Sequence, residues 1–391
     1  MENQNNLSEP GEIYQIETET EGGSPEDVLA LMEKPFDPTL INIDTKTPSL
    51  DTLVKRISHG EILLNTETYF QREPNLWKPT QQSRLIESIL IRFPLPAFYF
   101  DGSDKNKWLV VDGLQRLSSI RNFIIDKEKP LRLTNLEFLT QLEGKTYDEL
   151  DRDLQRIIEE TTVVVYIINP GTPVDVKFNI FKRINTGGLV LEPQEIRHAL
   201  FQGAPAKFIA ELGSLQEFEE ATTGALKRNN RMIDRDFANR FLGFYLFGYQ
   251  NYEPDLDTFM SRAMASIYDM DEDKKVEIKR DYIASLKLNK DIFGDNAFRK
   301  IDPVSQARKP INKAIFDAFS VQFALLSEDE RNVIKKCKEL IVDGFIRLLQ
   351  DQNFFSSVSS STGDKRRVTN RHLAIYKLIH ETINSYNDKF H

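Results

Sequence analysis

The residues best suited to chemistry lie in one short run, Asp112-Gly113-Leu114-Gln115-Arg116. The run follows the apolar segment 108–111 and precedes an apolar helical pattern, so a strand, a turn and a helix are predicted in succession. The first turn of a helix attracts anions, and Gly113 permits a close approach to the backbone. Arg116 adds a planar cation suited to phosphate, and Asp112 is able to cap the helix or hold a divalent cation. A phosphate site is therefore predicted, and a capped helix with a surface arginine is the alternative left open.

Three further arginines, Arg72, Arg84 and Arg183, lie in largely apolar segments. A guanidinium in apolar surroundings needs either a carboxylate or a bound anion as its partner. If these side chains converge on the helix that begins after Gly113, they form a phosphate pocket. The alternative is a set of internal ion pairs with carboxylates such as Asp112 and Glu87.

Two stretches of the chain concentrate basic residues, which are the side chains that contact nucleic-acid phosphates. The candidate DNA contacts are Lys227, Arg228, Arg231, Lys365, Arg366, Arg367 and Arg371. A third, weaker cluster is Arg308-Lys309 with Lys313. The alternative for each cluster is a solvated start of a helix.

Other kinds of site find no support in the sequence. Cys337 is the single cysteine, which excludes an intrachain disulfide and a cysteine zinc site, and its setting is that of a helix face. No Walker-type phosphate loop and no hydrolytic Ser/His/Asp arrangement is present. No apolar run reaches the roughly 18 residues of a membrane span, and the acidic start lacks the features of a secretory signal. We therefore expect a cytoplasmic protein with no membrane partner.

The charge is distributed unevenly along the chain. Residues 1–50 contain 11 acidic and 2 basic residues, and the totals of 60 and 51 leave 49 of each in residues 51–391. Residues 1–48 are predicted to form an acidic, disordered leader. An acidic arm that covers a basic site is the alternative. Because the body is neutral, any contact with nucleic acid needs a local basic face.

The elements that must position these residues form two groups. Over residues 49–190 helical patterns alternate with short β-branched runs, including 61–64, 97–100, 108–111 and 163–168. Over residues 191–391 nearly every apolar pattern is helical, with one long helix predicted over 328–349. The fold class is therefore α+β, an α/β N-terminal domain followed by an all-helical domain, and the segment 186–200 fits either part.

Several motifs, in this order and spacing, resemble the N-terminal domain family of GmrSD-type restriction proteins, within the ParB/sulfiredoxin-like superfamily. The motifs that carry the resemblance are Phe70-Gln71-Arg72 with Trp77, residues 82–90 leading to Pro94-Leu95-Pro96, residues 111–120, and residues 181–188 with Gln194-Glu195-Ile196-Arg197. The helical continuation 231–241 also looks like the family. The resemblance implies a ParB-like nucleotide-binding domain over 49–190.

The family motif Asp-Gly-Gln-Gln-Arg falls on Asp112, Gly113, Gln115 and Arg116, and this chain has Leu114 at the first glutamine. The resemblance implies binding or hydrolysis of a nucleoside triphosphate, with ATP, GTP and CTP undetermined, and with Mg²⁺ beside Asp112. Asp112, Gln115 and Arg116 are the implied catalytic residues. The implied nucleotide-binding residues are Arg72, Gly113, Arg183 and Asn185. The departure at Leu114 removes one hydrogen-bonding side chain.

Many relatives continue into a His-Asn-His nuclease domain, which needs a histidine base and a metal. The five histidines here include His372 and His380, eight apart on a predicted helix, and we expect a stand-alone form without that nuclease. The first hypothesis is a nucleotide-dependent component of a DNA restriction or anti-phage system, with a separate nuclease partner and a homo-oligomeric state left open. The second is a non-catalytic DNA-binding or regulatory module with a degenerate pocket. The third is direct nicking by the ParB-like domain.

Overall fold

The structure is a computed structural model that describes residues 37–64, 77–104, 106–184, 192–226, 231–302, 304 and 307–390. The described chain forms two compact units. The first extends to Ala206 and includes Arg231 and Met232, and the second takes in Lys207 onward and the remaining helices.

The first unit is built on a mixed five-stranded sheet. In chain order its strands are β1 (Ile43–Lys46), β2 (Ile62–Leu63), β3 (Phe98–Asp101), β4 (Trp108–Asp112) and β5 (Val165–Ile168), and they lie in the spatial order β1-β5-β3-β4-β2. The β3–β4 and β1–β5 pairs are antiparallel, and the β3–β5 and β2–β4 pairs are parallel. Because β3 and β4 run in opposite directions, their C-terminal residues Asp101 and Asp112 lie at opposite ends of the sheet.

Helices cover both faces of this sheet. On one face Phe98, Phe100, Val110 and Val165 join a core with α1 (Leu50–Ser58), α2 (Pro79–Leu90), α3 (Leu114–Ile124) and α4 (Arg152–Glu160). On the other face Leu109, Val111 and Ile168 pack with α5 (Val174–Ile184) and α6 (Pro193–Leu200). The two faces alternate along each strand, as the strand period of two requires. The unit therefore has three layers, with the sheet in the middle.

One strand of the sheet is not predicted by the sequence. Ile43–Lys46 falls within the segment predicted as a disordered leader, whereas it pairs with β5 from Ile43↔Ile168 to Lys46↔Val165. The strand lies at the edge of the sheet, where Ile43 is partly buried and the other three residues are exposed. A short polar edge strand has almost no alternation of apolar residues, so pattern reasoning has no signal for it.

The second unit is helical, as predicted. Its helices are α7 (Ala204–Gly213, which begins in the first unit), α8 (Gln216–Ala221), α9 (Ile233–Phe247), α10 (Leu256–Ser266), α11 (Glu272–Phe293), α12 (Lys313–Ala324), α13 (Glu328–Lys336), α14 (Lys338–Gln350), α15 (Gln352–Ser357) and α16 (Lys365–Phe390). The single helix predicted over 328–349 is wrong, because the chain breaks at Cys337 into α13 and α14. No glycine or proline marks that break, so the sequence carries no local sign of it.

A buried charge cluster lies in the core of the second unit. The Asp317 carboxylate binds the Arg240 guanidinium at 2.8 and 2.7 Å and accepts from Nη2 of Arg371 at 3.2 Å. All three side chains are at most 2% exposed. Because the cluster joins α9, α12 and α16, it fixes these three helices to one another. Among the described residues no helix is long and apolar enough to cross a membrane.

Candidate functional site

The predicted strand–turn–helix is present at the C-terminal end of β4. The strand ends at Asp112, and α3 begins at Leu114. Gly113, between them, has φ +99°, and a Cβ at this position would lie 2.5 Å from Cδ1 of Phe98. Any other residue would be strained at this φ and would clash with the Phe98 ring. The glycine lets the first turn of α3 sit directly against the start of β3.

Arg116 lies beneath this turn, and its guanidinium is bound by protein atoms. Nη2 donates to Oδ2 of Asp112 at 2.8 Å and to the carbonyl oxygen of Ala97 at 3.0 Å, and Nη1 donates to the carbonyl oxygen of Pro96. The guanidinium carbon is 4.4 Å from the Phe98 ring centroid, and the residue is 9% exposed. Burial lowers the pKa of Arg116, and the Asp112 charge opposes that effect. The alternative left open by the sequence was a surface arginine at this position, whereas the structure places Arg116 in a buried ion pair that positions Asp112.

Asp112 is the exposed member of the pair. Its side chain is 35% exposed, and Oδ1 lies outside the ion pair. Across the β3–β4 ladder Asp112 faces Tyr99, whose ring stacks on Tyr166 with centroids 4.9 Å apart. Burial, followed by the charges of Tyr166 and Asp112, raises the pKa of Tyr99. The carboxylate is therefore oriented by Arg116 and partly open to solvent.

The C-terminal end of β4 has a limited capacity to bind a metal ion. Throughout the described ranges no group of three or more His, Cys, Asp or Glu side chains is arranged to hold a metal ion. Mg²⁺ is commonly held by one or two carboxylates together with waters and substrate phosphates. A single oriented carboxylate at the N-terminal end of a helix fits a Mg²⁺–phosphate group and does not fit a metal held by protein alone.

Gln115 takes part in a polar network that sequence reasoning missed. Its Oε1 accepts from the backbone N–H of Trp77 at 3.2 Å, and Nε2 of Gln82 donates to the Trp77 carbonyl at 2.8 Å. Nδ2 of Asn122 then donates to Oε1 of Gln82 at 3.0 Å. The network ties Trp77 to both α2 and α3. Gln82 and Asn122 are buried amides within apolar helices, which was the available signal.

Glu87 and Arg84 do not join the Asp112 cluster. Arg84 pairs with Glu137 at 2.7 Å on the surface. The buried Glu87 carboxylate accepts backbone N–H bonds from Glu137, Phe138 and Leu139 at 2.7–3.0 Å. Burial acts to raise the pKa of Glu87, but these three donors outweigh it and hold the pKa below its ordinary value. Glu87 therefore fixes the loop that follows α3.

The other predicted nucleotide contacts are only partly described. Arg72 and Asn185 lie outside the described residues. Arg183 is exposed in the last turn of α5, beside Ile184, which packs in the same core cluster as Val111. Val111 directly precedes Asp112, so the last turn of α5 and the end of β4 share one cluster.

A second buried ion pair lies at the opposite end of the sheet and was not predicted. Nζ of Lys177 is 3.3 Å from both carboxylate oxygens of Asp101, and both side chains are 10% exposed. Ser103 donates its backbone N–H to Asp101 at 2.9 Å, and its hydroxyl contacts both partners. The pair fastens the first half of α5 to the end of β3. A lysine flanked by the apolar residues Val176 and Phe178 is the sequence signal.

The candidate DNA contacts differ widely in exposure. Arg366 is exposed, Lys365 is 48% exposed and pairs with Glu253 at 2.6 Å, and Arg367 bonds to Ser360. Arg231 pairs with Glu192 and Glu195 at 3.3 and 3.2 Å within the first unit. Lys227 and Arg228 lie outside the described residues.

The prediction that Arg371 contacts DNA is wrong. It has no exposed surface, and it is bound to Asp317 and to the carbonyl oxygen of Thr362. A guanidinium enclosed in this way has no path to a DNA phosphate, so Arg371 belongs to the core. The sequence shows a basic run on a helix, and only the packing shows which of its faces is buried.

The chain is an α+β protein. Its first unit places an oriented aspartate, Asp112, and a glycine turn at the N-terminal end of α3. Residues 51–202 match the family model described as GmrSD restriction endonuclease, N-terminal domain. The resemblance predicted from the motifs is therefore confirmed, and this part of the chain is a GmrSD N-terminal-type domain. The family description connects this part of the chain with restriction systems. No curated protein matches the chain, and no solved structure matches it.

Proposed function

We propose that this protein is a nucleotide-dependent component of a DNA restriction or anti-phage defence system. The observation that carries the proposal is the GmrSD N-terminal-type match over residues 51–202, which includes the oriented aspartate at the start of α3. Helix N-termini favour phosphate through their unpaired N–H groups and the helix dipole. The proposed ligand is a nucleoside triphosphate with Mg²⁺.

The residues take different roles in this proposal. Asp112 orients the Mg²⁺ ion or an attacking water through its free oxygen, and Gly113 forms the turn that presents the first N–H groups of α3 to phosphate. Arg116 acts as a positioning residue, because its guanidinium already binds Asp112 and two carbonyls. Gln115 keeps Trp77 in place at the end of the segment that carries Arg72. Arg72, Arg183 and Asn185 complete the proposed phosphate and nucleotide contacts, and the bound cation supplies charge neutralisation.

The proposed target is DNA, and the proposed cutting activity belongs to a separate nuclease. Hydrolysis of DNA by a His-Asn-His site needs histidine and metal ligands in one place. Within the described second unit, His372 is fully buried between Phe244 and Tyr249. His372 is therefore not available for that chemistry, and the proposal assigns the cutting of DNA to a partner.

A non-catalytic module is the second candidate, and two observations favour it. Leu114, which replaces a glutamine of the family motif, packs against the sheet core on the Phe98 face. The Arg116 guanidinium is directed at protein acceptors. A pocket with both features would bind nucleotide without turnover and act as a sensor.

The discriminating experiment measures phosphate release from ATP, GTP and CTP with Mg²⁺, with and without DNA. Wild type is compared with Asp112→Asn and with Asp148→Asn, a matched control whose exposed carboxylate pairs with Lys127 on the surface of the same unit. Turnover lost only in Asp112→Asn supports the NTPase. Binding without turnover in every protein supports the sensor, and turnover gained by Leu114→Gln would support it further. A protein that neither binds nor hydrolyses any of these nucleotides contradicts both.

A further inference from the structure

Two basic segments, far apart in sequence, meet in the second unit. They are the loop between α11 and α12, with Lys300, Arg308 and Lys309, and the start of α16, with Arg366 and Arg367. We call these five side chains the basic surface.

Contacts through consecutive serines bring the two segments together. Nζ of Lys300 donates to Oγ of Ser359 at 2.8 Å, and Nη1 of Arg367 donates to Oγ of Ser360 at 2.7 Å. Nδ2 of Asn312 also donates to the carbonyl oxygen of Val358 at 2.6 Å. The loop and the start of α16 are therefore joined by the same three-residue stretch.

Buried arginines support the surface from behind. Arg299, 1% exposed, pairs in a β-bridge with Ile311 and donates to the carbonyl oxygen of Lys309, which closes the base of the loop. Arg371 lies one helical turn after Arg367 and is held by Asp317. The loop and the helix start are therefore anchored, while Arg308 and Arg366 are exposed.

The basic surface concentrates positive charge on a chain that is neutral from residue 51 to residue 391. Of its five basic residues, Arg308 and Arg366 are exposed, and Lys300, Lys309 and Arg367 are partly buried. In the described residues 299–302, 304, 307–312 and 358–370, seven residues are basic and two, Asp302 and Asp364, are acidic. Two carboxylates from outside these ranges act on the same place, since Glu253 pairs with Lys365 and Asp295 interacts electrostatically with Arg308. Oδ2 of Asp302 lies 3.9 Å from Nζ of Lys309, and the Lys309 side chain is 44% exposed. Positive charge therefore exceeds negative charge at this place.

We propose that the basic surface binds the phosphate backbone of duplex DNA. Guanidinium and ammonium groups are the side chains that contact phosphate oxygens. Such contacts bind DNA by releasing its counterions and do not read its sequence. The choice of DNA as the partner rests on the proposed function. The basic surface itself is defined by the contacts through residues 358–360 and does not depend on that function.

The strength of binding is set by the number of phosphates neutralised. For five contacts the affinity falls about 500-fold between about 50 and 200 mM salt, and for two contacts it falls about 12-fold. The test variant is therefore Arg308→Gln/Lys309→Gln/Arg366→Gln, which removes three of the five charges. The control variant is Lys338→Gln/Arg347→Gln/Lys377→Gln, which removes three exposed charges elsewhere on the second unit.

The assay is fluorescence anisotropy of a labelled 30-base-pair duplex with the full chain, without nucleotide and then with MgATP, MgGTP or MgCTP. We expect the control variant to keep the wild-type affinity and salt slope, and the test variant to lose most of the slope. Equal affinity of both variants, or equal weakening of both, overturns the proposal. Binding of polyglutamate with no binding of DNA also overturns it and points to an acidic protein. Because DNA binding is measured apart from phosphate release, failure of nucleotide turnover does not affect the result.

Discussion

Replacement of Arg116 by methionine tests whether this residue holds the candidate site together. Methionine keeps an apolar stem against the Phe98 ring and removes the guanidinium. The Pro96 and Ala97 carbonyl oxygens then lose a charged donor, and Asp112 loses its ion-pair partner.

The magnitude follows from the burial of these groups. Removing one partner of a buried ion pair costs about 3–5 kcal/mol, and each carbonyl left without a donor adds to that cost. Asp112 is 35% exposed, so water recovers part of the loss. We expect the free energy of unfolding of the first unit to fall by about 3 kcal/mol, which corresponds to a melting temperature lower by about 6–12 °C.

The measurement is thermal unfolding followed by circular dichroism, with Arg156→Met as the matched control. Arg156 pairs with Asp153 at 2.9 Å on α4, with side chains 56% and 83% exposed. Such a surface pair contributes about 0–1 kcal/mol, so the control should melt close to wild type. A melting temperature of Arg116→Met within about 2 °C of wild type would refute the positioning role and restore Arg116 as a residue free to bind phosphate.

Three further predictions concern stability. Lys177→Ala leaves the Asp101 carboxylate buried without its cation, so the free energy of unfolding measured in urea should fall by about 3–5 kcal/mol. A fall of less than about 1 kcal/mol would mean that solvent screens the pair. Glu87 has a folded pKa below its ordinary 4.5, so its contribution is present above that pH and is lost as the pH falls through the folded pKa. Glu87→Gln should cost about 2 kcal/mol at pH 7 and flatten this acid loss, and an unchanged profile would contradict the assignment. Burial and then the charges of Arg371 and Arg240 hold the pKa of His372 well below its ordinary 6.5. Below pH 6.5 the unfolded chain therefore gains a proton at His372 that the folded chain does not. The free energy of unfolding then falls by about 1.4 kcal/mol per pH unit. His372→Phe should abolish this slope in urea unfolding, and persistence of the slope would assign it to another group.

Much of the secondary structure is predictable because its signals are local. Ser49 before an apolar helical pattern is the N-cap of α1, and its side chain accepts from the Thr52 N–H. Asp112-Gly113 between a β-branched run and a helical run forms the turn at the site. In contrast, α4 was not predicted, and β1 was placed in the leader. These elements are stabilised by the elements that pack against them, and their own sequences carry no pattern that predicts them.

The sequence by itself determined the strand–turn–helix around Gly113, the two-part α+β organisation and the family of residues 51–202, since each depends on residues close in the chain or on motif order. Only the tertiary structure decided what the charged side chains bind. Arg116 reaches carbonyl oxygens 19 and 20 residues away, and Arg371 meets Asp317 across 54 residues. Lys300 and Arg367 contact neighbouring serines. The physical reason is that the charge of a side chain is encoded locally, whereas its burial and its partner depend on how distant elements pack.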